Sequence, residues 1–261
     1  PRLHVPAVPA RPGEAPDFSY VRLSPAGAIR CLPIDAPVSA TVPLAEELIR
    51  VLDEAHQAVG PWNPQLEPQV LRRGLRIMLQ TRVFDDRMQR AQRQGRITFY
   101  VRSLGEEAVS VAAALALADR DMLFPSYRNQ GLFLARGLTL VELMSQLLSN
   151  THDMCKGRQL PVMYHSVAQR LFSISGNLAT QFPQAVGWAM ASAIKGEDHV
   201  AASWIGEGSS AEADFHHALL FASTYRAPCV LNVVNNQWAI SSPVGTQTTV
   251  PLYKRGEGFG V

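Results

Sequence analysis

The sequence predicts an α/β fold with a largely parallel sheet that is covered by helices and preceded by an extended N-terminal arm. Two short, nearly continuous apolar runs, at about His199–Ile205 and Cys229–Val234, are typical of parallel strands that are buried on both faces. The segment between them, at about Ala211–Tyr225, has the length of a helix, so the three elements form one βαβ unit. With 261 residues and 47% hydrophobic content, the chain can bury a sizeable core.

The chain is expected to begin with an extended arm that is followed by helical segments. Residues 1–42 are rich in proline and lack periodicity, which predicts an extended arm lying on a surface, and residues 43–261 are assigned to one α/β domain. A short amphipathic segment follows at about Leu44–Glu54, and a longer helix at about Pro68–Gln94. Six apolar residues recur in the longer helix at helical spacing and are expected to face the core: Val70, Leu71, Leu75, Met78, Leu79 and Met88.

From Gly105 onwards helices, strands and loops alternate. A helix of small residues (GEEAVSVAAALALAD) precedes a short strand and loop (MLFPSYRNQG). The next helix (LTLVELMSQLLSN) begins with a predicted capping box of Thr139 and Glu142. A long polar loop, from residue 151 to about residue 173, leads to a helix at about Phe182–Lys195, whose small residues would let another backbone or subunit approach closely.

Charge and cysteine content exclude several classes of protein. Lys+Arg 24 against Asp+Glu 22 gives a net charge of +2, and no basic run is interleaved with aromatic residues, so a nucleic-acid partner is not indicated. Cys31, Cys155 and Cys229 are odd in number and far apart, which argues against a disulfide framework and a zinc site. A reducing cytoplasm, or the mitochondrial matrix in a eukaryote, fits best. No apolar run reaches the length that spans a bilayer.

An acid between two glycines ends the first apolar run, and a pair of asparagines ends the second. Because the carboxyl ends of parallel strands lie at one edge of a sheet, Glu207 and Asn236 can converge there. Their oxygen atoms are hard ligands that suit Mg²⁺. Gly206 and Gly208 would allow a tight turn and a close approach of an anion to the N-terminus of a helix beginning near Ser210. Each half alone is typical of an ordinary turn, but together they predict a metal-bridged diphosphate site.

The order of these motifs resembles that of the thiamin diphosphate enzymes, whose cofactor motif runs from G-D-G or G-E-G to N-N across one βαβ unit. More closely, the chain resembles the alpha subunit of heterotetrameric 2-oxo acid dehydrogenase E1 components, and most of all the branched-chain (2-oxoisovalerate) type. The resemblance runs along the whole chain. It rests on DFSYVRL, FYVRSLGEEAVS, FPSYRNQG, KGRQLPVMYH, SISGNLATQFPQAVGWA, IGEGSSAEADFHHAL and NVVNNQWAIS.

This resemblance implies a thiamin diphosphate-binding fold with sites for the cofactor and Mg²⁺. The implied metal ligands are the side chains of Glu207 and Asn236 and the backbone carbonyl of Trp238, which stands where a Tyr is usual. The cofactor-binding residues that it implies are Tyr127, Arg128, Gly176, Leu178, Gly206, Glu207, Gly208, Ser209 and Asn236. A loop that coordinates K⁺ in some members matches Ser175, Asn177, Thr180 and Gln181, with Asn177 in place of a Pro found in some relatives.

The activity that the resemblance implies is oxidative decarboxylation of a 2-oxo acid of the 3-methyl-2-oxobutanoate type, in branched-chain amino acid catabolism. The acyl group would pass to a lipoyl group on an E2 acyltransferase. An alpha2beta2 heterotetramer is implied, with the beta subunit supplying the glutamate that activates the cofactor. Val101 stands where the pyruvate type carries a His, which favours a bulkier aliphatic substrate. A catalytic His is expected beyond residue 261, so these residues are expected to be an incomplete alpha subunit without turnover of their own.

Three other functions are compatible with parts of the sequence. A pyruvate or acetoin dehydrogenase alpha subunit would have the same layout, and a catalytically inactive fragment could act only in subunit assembly. A nucleotide-binding α/β protein is disfavoured, because neither a P-loop nor a G-x-G-x-x-G motif after a strand is present.

The remaining polar residues are expected to have structural roles. Glu212 and His216 have the spacing of a metal pair but lack a third ligand, so His216 and His217 are predicted to lie on a helix surface or to support neighbouring groups. His165 is expected to be structural or solvated. The other structural assignments are Cys155 and Cys229 as small buried residues, Arg102 as a site-lining or locally paired residue, and Glu106 with Glu107 as local caps or ion-pair partners.

Overall fold

A computed structural model describes residues 23–33 and 35–261 of the chain. Most of the predicted N-terminal arm, residues 1–22, lies outside the described residues. The described part of the chain divides into two compact units: residues 67–236, and residues 23–66 together with residues 237–261. No helix within 23–33 and 35–261 is both long and apolar enough to cross a lipid bilayer.

The secondary structure of the described residues is mainly helical. The strands are β1 (Met122–Phe124), β2 (Ala201–Gly206), β3 (Cys229–Val234), β4 (Trp238–Ala239) and β5 (Ser242–Pro243). The α-helices are α1 (Val38–Thr41), α2 (Pro68–Arg93), α3 (Glu107–Ala116), α4 (Gln130–Ala135), α5 (Leu140–Leu147), α6 (Gln181–Ile194), α7 (Ala213–Tyr225), α8 (Val244–Gln247) and α9 (Tyr253–Phe259). Short 3₁₀ helices lie at Val42–Glu46 and Glu207–Ala211.

A three-stranded parallel sheet organises the unit of residues 67–236. Its order is β1-β2-β3, with Met122 opposite Ala201 and Gly206 opposite Val234. The central strand β2 is buried along almost its whole length. The predicted α/β fold is therefore confirmed, as is the βαβ unit formed by β2, α7 and β3.

Helices pack closely against this sheet because their contact residues are small. Ala185 and Ala189 of α6 are fully buried and pack against Phe124 of β1 and Ala201 of β2. The small-residue surface that the sequence predicted on this helix thus lets the sheet backbone approach, which favours dense packing. A second, larger core contains α2, α4 and α5, and its most buried large side chains include Phe133, Trp204 and Tyr164.

Helix α2 has apolar residues on two faces, and the residues predicted to face the core are divided between them: Met88 is buried and Met78 packs against the core. Leu71, Leu75 and Leu79, which were expected to be buried, are 57–58% exposed. Besides the predicted Met88, the buried face contains Gly74, Ile77, Thr81, Phe84 and Asp85. Hydrophobic periodicity identifies an apolar face of a helix but does not show which face meets the core. A core face that includes Gly, Thr and Asp has a weak apolar pattern, so the sequence does not reveal it.

Two further segments differ in part from their predictions. Of the amphipathic segment at Leu44–Glu54, only the 3₁₀ helix Val42–Glu46 forms, and an isolated antiparallel bridge joins Leu52 to Ala58. The loop predicted at residues 151–173 is confirmed, since no helix or strand lies within it, but it is not polar throughout, because it buries Val162, Tyr164 and Leu171. Leu171 also forms a parallel bridge with Leu123, so this segment lies beside the β1 edge of the sheet.

The predicted capping box at the start of α5 is confirmed. The Thr139 hydroxyl accepts a hydrogen bond from the Glu142 backbone N–H, and the Glu142 carboxylate accepts one from the Thr139 backbone N–H at 2.7 Å. These contacts satisfy two backbone donors that the first turn of a helix otherwise leaves unpaired.

Thr139→Ala is expected to lower the free energy of unfolding by about 1 kcal/mol, the usual effect of losing such a cap. Thr139→Ser keeps the hydroxyl and serves as the matched control. Hydrogen bonds from Thr139 lower the pKa of Glu142, so its stabilising contribution is present above its ordinary pKa of 4.5 and is lost as the pH falls below that value. Urea denaturation at neutral and acidic pH measures both effects, and equal stability of the Ala and Ser variants would contradict the prediction.

Candidate active site

Three chain segments leave the same edge of the parallel sheet. Strand β1 leads into Ser126–Arg128, β2 leads into Glu207, and β3 leads into Asn235 and Asn236. The strands are adjacent and parallel, with their registers aligned, so these segments begin side by side at the carboxyl edge. The structure thus brings Arg128, Glu207 and Asn236 to the edge at which ligands bind in open α/β sheets.

Glu207 is a buried carboxylate with an unsatisfied oxygen. Its residue is only 2% exposed, and its Oε1 atom has no hydrogen-bond partner among the described residues. A buried acceptor without a partner costs about 1–3 kcal/mol, and more when it is charged. Proteins retain such groups mainly where another molecule or ion completes them, so Glu207 fits the role of a cation ligand.

The turn around Glu207 differs in detail from the prediction. Gly206 has φ −78° and ψ 161°, a conformation open to any residue, so no tight glycine turn forms there. A Cβ atom at Gly206 would contact nothing within 4 Å, so the backbone has an open side that a bound group could approach. The following α-helix begins at Ala213 and not near Ser210, because the 3₁₀ helix Glu207–Ala211 comes first.

Arg128 is half-buried and is held by the neighbouring segment. Its Nη1 atom donates a hydrogen bond to the Arg102 carbonyl at 2.6 Å, and its guanidinium lies 5.8 Å from the centre of the Tyr127 ring. The Gln130 amide donates to the carbonyls of Val101 and Tyr127, at 2.8 Å and 3.1 Å. The loop after β1 is thus tied to residues 101–102, which fixes the position of a cationic side chain at the edge of the sheet.

A buried network anchors residues 100–103 to α2. The carboxylate of Asp85, which is fully buried, accepts hydrogen bonds from the Tyr100 hydroxyl at 2.5 Å, from the Ser103 backbone N–H at 2.8 Å and from the Ser103 hydroxyl at 3.1 Å. Burial raises the pKa of Asp85, and these hydrogen bonds and the Arg102 charge oppose that rise. Since Arg128 and Gln130 bond to the backbone of residues 101–102, this network also supports the site.

Asn236 contacts Glu106, a residue that was predicted to be a local cap or ion-pair partner. Its Nδ2 atom donates a hydrogen bond to Oε1 of Glu106 at 3.0 Å. Burial raises the pKa of Glu106, the Asn236 hydrogen bond and the Arg128 charge lower it, and the Glu207 charge raises it, so these four groups interact electrostatically. Glu107 instead pairs with Arg82, as a structural role predicts. An acid at a helix N-terminus is common, so no sequence signal separated Glu106 from Glu107.

The structure gives less information about the other site residues that the resemblance implies. Trp238 begins β4 and belongs to the unit that contains residues 237–261. Gly208 is half-buried and Ser209 is buried, whereas Gly176 and Leu178 are exposed. In the loop predicted to bind potassium, the Thr180 hydroxyl donates to the Asn177 carbonyl at 2.9 Å, and the Ser175 hydroxyl accepts from the Asn177 N–H at 3.1 Å. Gln181 Oε1 is buried and has no partner within residues 23–33 and 35–261, and the potassium site stays a prediction.

The histidines and cysteines that were assigned structural roles form no metal cluster. Within the described residues, no group of three or more His, Cys, Asp or Glu side chains could hold a metal ion. Cys155 Sγ lies 3.3 Å from His165 Nδ1, and burial raises the pKa of this thiol to about 11, so it stays protonated at neutral pH. Burial likewise raises the pKa of Cys229 to about 11. His217 is exposed on α7, and His216 beside it packs against the Phe215 ring.

The site as a whole has the chemistry of a divalent cation bound with an anion. Glu207 and Asn236 offer oxygen atoms, which hard cations such as Mg²⁺ prefer, and Arg128 offers a fixed positive charge. The unsatisfied Oε1 of Glu207 and the open side of Gly206 both fit a ligand at this edge of the sheet. The residues present therefore fit a magnesium-bound phosphate group.

Comparison with known proteins identifies the family. Residues 75–261 match the sequence profile described as "Dehydrogenase E1 component". The chain belongs to the dehydrogenase E1 component family. Residues 1–39 match a second profile, "2-oxoisovalerate dehydrogenase E1 alpha subunit N terminal", so the family resemblance predicted from the motifs is confirmed.

Three proteins show how far the similarity of this E1-family chain extends. It is 57% identical to the 2-oxoisovalerate dehydrogenase subunit alpha of Pseudomonas aeruginosa, over 100% of this chain and 64% of that protein. It is 38% identical to the mitochondrial 2-oxoisovalerate dehydrogenase subunit alpha 2 of Arabidopsis thaliana, over 81% of this chain and 45% of that protein. The chain therefore spans about half to two thirds of the length of these relatives. A solved structure of a putative thiamin diphosphate-dependent enzyme from Mycobacterium smegmatis aligns with a TM-score of 0.38 and 22% sequence identity. The alignment covers 59% of this chain and 25% of that chain. This likeness is too distant to indicate a shared fold by itself.

Proposed function

We propose that this chain is part of the alpha subunit of a branched-chain 2-oxo acid dehydrogenase E1 component, and that it holds the Mg²⁺ and the diphosphate of thiamin diphosphate. The observation that carries the proposal is the buried Glu207 carboxylate, whose Oε1 has no partner among the residues that the structure describes and which lies at the edge of the sheet with Arg128 and Asn236. Membership of the E1 family and the names of the relatives support the same conclusion.

Each residue of the site has a defined task in this proposal. Glu207 and the amide oxygen of Asn236 would bind Mg²⁺, and Arg128 would neutralise charge on the diphosphate through a charge-assisted hydrogen bond. Gly206 leaves room for the bound group, since it presents no side chain on its open side. Thiamin diphosphate, when bound, supplies the electron sink that decarboxylation of a 2-oxo acid requires. Binding and orientation are therefore the contributions of this chain.

The proposed substrate is a branched-chain 2-oxo acid of the 3-methyl-2-oxobutanoate type. The relatives are named 2-oxoisovalerate dehydrogenases, and Val101, a half-buried aliphatic residue, lies next to Arg102, whose carbonyl holds Arg128. A pyruvate or acetoin substrate and a purely structural role in assembly are the alternatives, and no observation on the structure favours either.

The proposed partners follow from the E1 alpha family and not from contacts of this chain. They are an E1 beta subunit, in an alpha2beta2 heterotetramer, and a lipoyl-bearing E2 acyltransferase that accepts the acyl group. The location stays a prediction: the cytoplasm for a bacterial protein, as the Pseudomonas relative would suggest, or mitochondria, as in the name of the Arabidopsis relative.

Binding and substrate experiments test this function directly. Thiamin diphosphate is titrated into the full-length chain, with and without Mg²⁺ and with and without the beta subunit, by isothermal calorimetry. Binding that requires Mg²⁺ is expected, and binding that ignores Mg²⁺ would refute the proposal. The assembled enzyme is then assayed with 2-oxoisovalerate and pyruvate, and a clear preference for pyruvate would refute the branched-chain assignment alone.

Arg128→Ala is expected to weaken thiamin diphosphate binding roughly 10- to 100-fold, because it removes a charge-assisted hydrogen bond worth about 1.5–3 kcal/mol. Mg²⁺ should still be required, since Arg128 does not bind the metal. Arg120→Ala is the matched control, because Arg120 is an exposed arginine whose ion pair is with Asp198. An Arg128→Ala variant with the affinity of the control would show that Arg128 does not contact the diphosphate.

A further inference from the structure

Glu106 and Asn236 are 130 positions apart in the chain and are joined by one hydrogen bond. Asn236 Nδ2 donates to Glu106 Oε1 at 3.0 Å. Asn236 follows β3, and Glu106 precedes the first residue of α3. This bond therefore connects the carboxyl edge of the sheet to the start of a helix that comes much earlier in the chain.

A carboxylate next to an asparagine fixes the orientation of its amide. Because Nδ2 of Asn236 donates to a carboxylate oxygen of Glu106, the NH₂ end of the Asn236 amide faces Glu106. The amide oxygen is then at the opposite end of the planar group. Since a cation binds the oxygen and is repelled by the NH₂ group, the orientation of this amide decides whether Asn236 can be a metal ligand.

Glu106 is itself held in place. Its backbone N–H donates to the Ser103 carbonyl at 2.8 Å, and Ser103 is bound through its N–H and hydroxyl to the buried carboxylate of Asp85. Glu106 also lies near enough to Arg128 and Glu207 for their charges to act on it. Its position is thus set by a buried network and by the charged groups of the candidate site.

We infer that Glu106 is a positioning residue that holds the Asn236 amide with its oxygen turned to the divalent cation. The inference rests on the proposed function, and it adds a residue that touches neither cofactor nor substrate. Partners that orient metal ligands in this way typically change metal affinity 10- to 100-fold when they are replaced.

Three substitutions separate positioning from charge. Glu106→Gln keeps the length and an acceptor oxygen but removes the charge. Glu106→Asp keeps the charge but is one methylene shorter, so it does not reach Asn236 in the same way. Glu106→Ala removes both, and Glu212→Ala, which replaces an exposed acid at the N-terminus of α7, is the control.

The full-length chain is assembled with its beta subunit, and binding of thiamin diphosphate is monitored by protein fluorescence as Mg²⁺ is added. The measured quantity is the Mg²⁺ concentration at which this binding is half-maximal. The Ala and Asp variants are expected to need about 10- to 100-fold more Mg²⁺, and the Gln variant to stay within about threefold of wild type. Thermal unfolding without metal identifies any variant that has lost its fold. The variants that remain folded still show whether Glu106 positions Asn236.

Two results would overturn the inference. One is an unchanged Mg²⁺ requirement in the Asp and Ala variants. The other is a Glu106→Gln variant that needs as much Mg²⁺ as Glu106→Ala, together with a Glu106→Asp variant that needs no more than wild type. That pattern would assign the effect to the charge of Glu106. In both cases wild type still binds the cofactor with Mg²⁺, so the proposed function stands. Wild-type binding that does not depend on Mg²⁺ would refute the function and the inference together.

Discussion

Glu207→Ala is expected to abolish Mg²⁺-dependent binding of thiamin diphosphate, with a loss of affinity above about 100-fold. Partners of metal ligands already change metal affinity by 10- to 100-fold, so loss of a ligand should have the larger effect. Glu207 offers a buried oxygen that has no partner within the described part of the chain, and no other acid takes its place at the end of β2. Calorimetric titration of the full-length chain with its beta subunit measures this loss.

The stability of the metal-free protein gives a second readout. Glu207→Gln keeps the side-chain volume but replaces a buried carboxylate that has an unsatisfied oxygen with a neutral amide, so it should not lower the midpoint of thermal unfolding. Glu212→Ala removes an exposed acid from the same segment and should leave Mg²⁺-dependent binding unchanged. Full Mg²⁺-dependent affinity in Glu207→Ala would show that the metal is bound elsewhere.

The sequence was sufficient to predict the parts of the fold that short-range patterns determine. Strand β3 has the predicted bounds, and the capping box of Thr139 and Glu142 marks the start of α5. Continuous apolar runs identify strands buried on both faces, and parallel pairing then places Glu207 and Asn236 at one edge. Two side chains nearly thirty positions apart could be brought together by this reasoning because a single βαβ unit connects them.

Contacts across the fold could not be predicted in the same way. Helix α2 exposes Leu75 and buries Asp85, because the partners of its two faces come from other parts of the chain. The contact of Glu106 with Asn236 depends on how α3 is placed against β3, which no local pattern encodes. Polar residues that act through distant partners are therefore the ones that sequence reasoning overlooked at this site.

Asp85→Ala is expected to lower the free energy of unfolding by about 3–5 kcal/mol, because it leaves several buried donors without an acceptor. The Tyr100 hydroxyl and both donors of Ser103 bond to this carboxylate, and Tyr100 and Ser103 are buried. Water cannot reach these donors unless the segment 100–103 moves away from α2. Urea denaturation at neutral pH measures the loss.

Asp86→Ala is the matched control, since Asp86 is the next residue on α2 and its carboxylate pairs with Arg102 at a half-exposed position. Such a pair contributes about 0–1 kcal/mol, so the two neighbouring substitutions should differ severalfold in their effect. Because residues 101–102 hold Arg128 and Gln130, Asp85→Ala should also weaken thiamin diphosphate binding under conditions in which the variant is still folded. Equal stability of the two variants would mean that the buried donors find other acceptors, and then Asp85 would not be what anchors this side of the site.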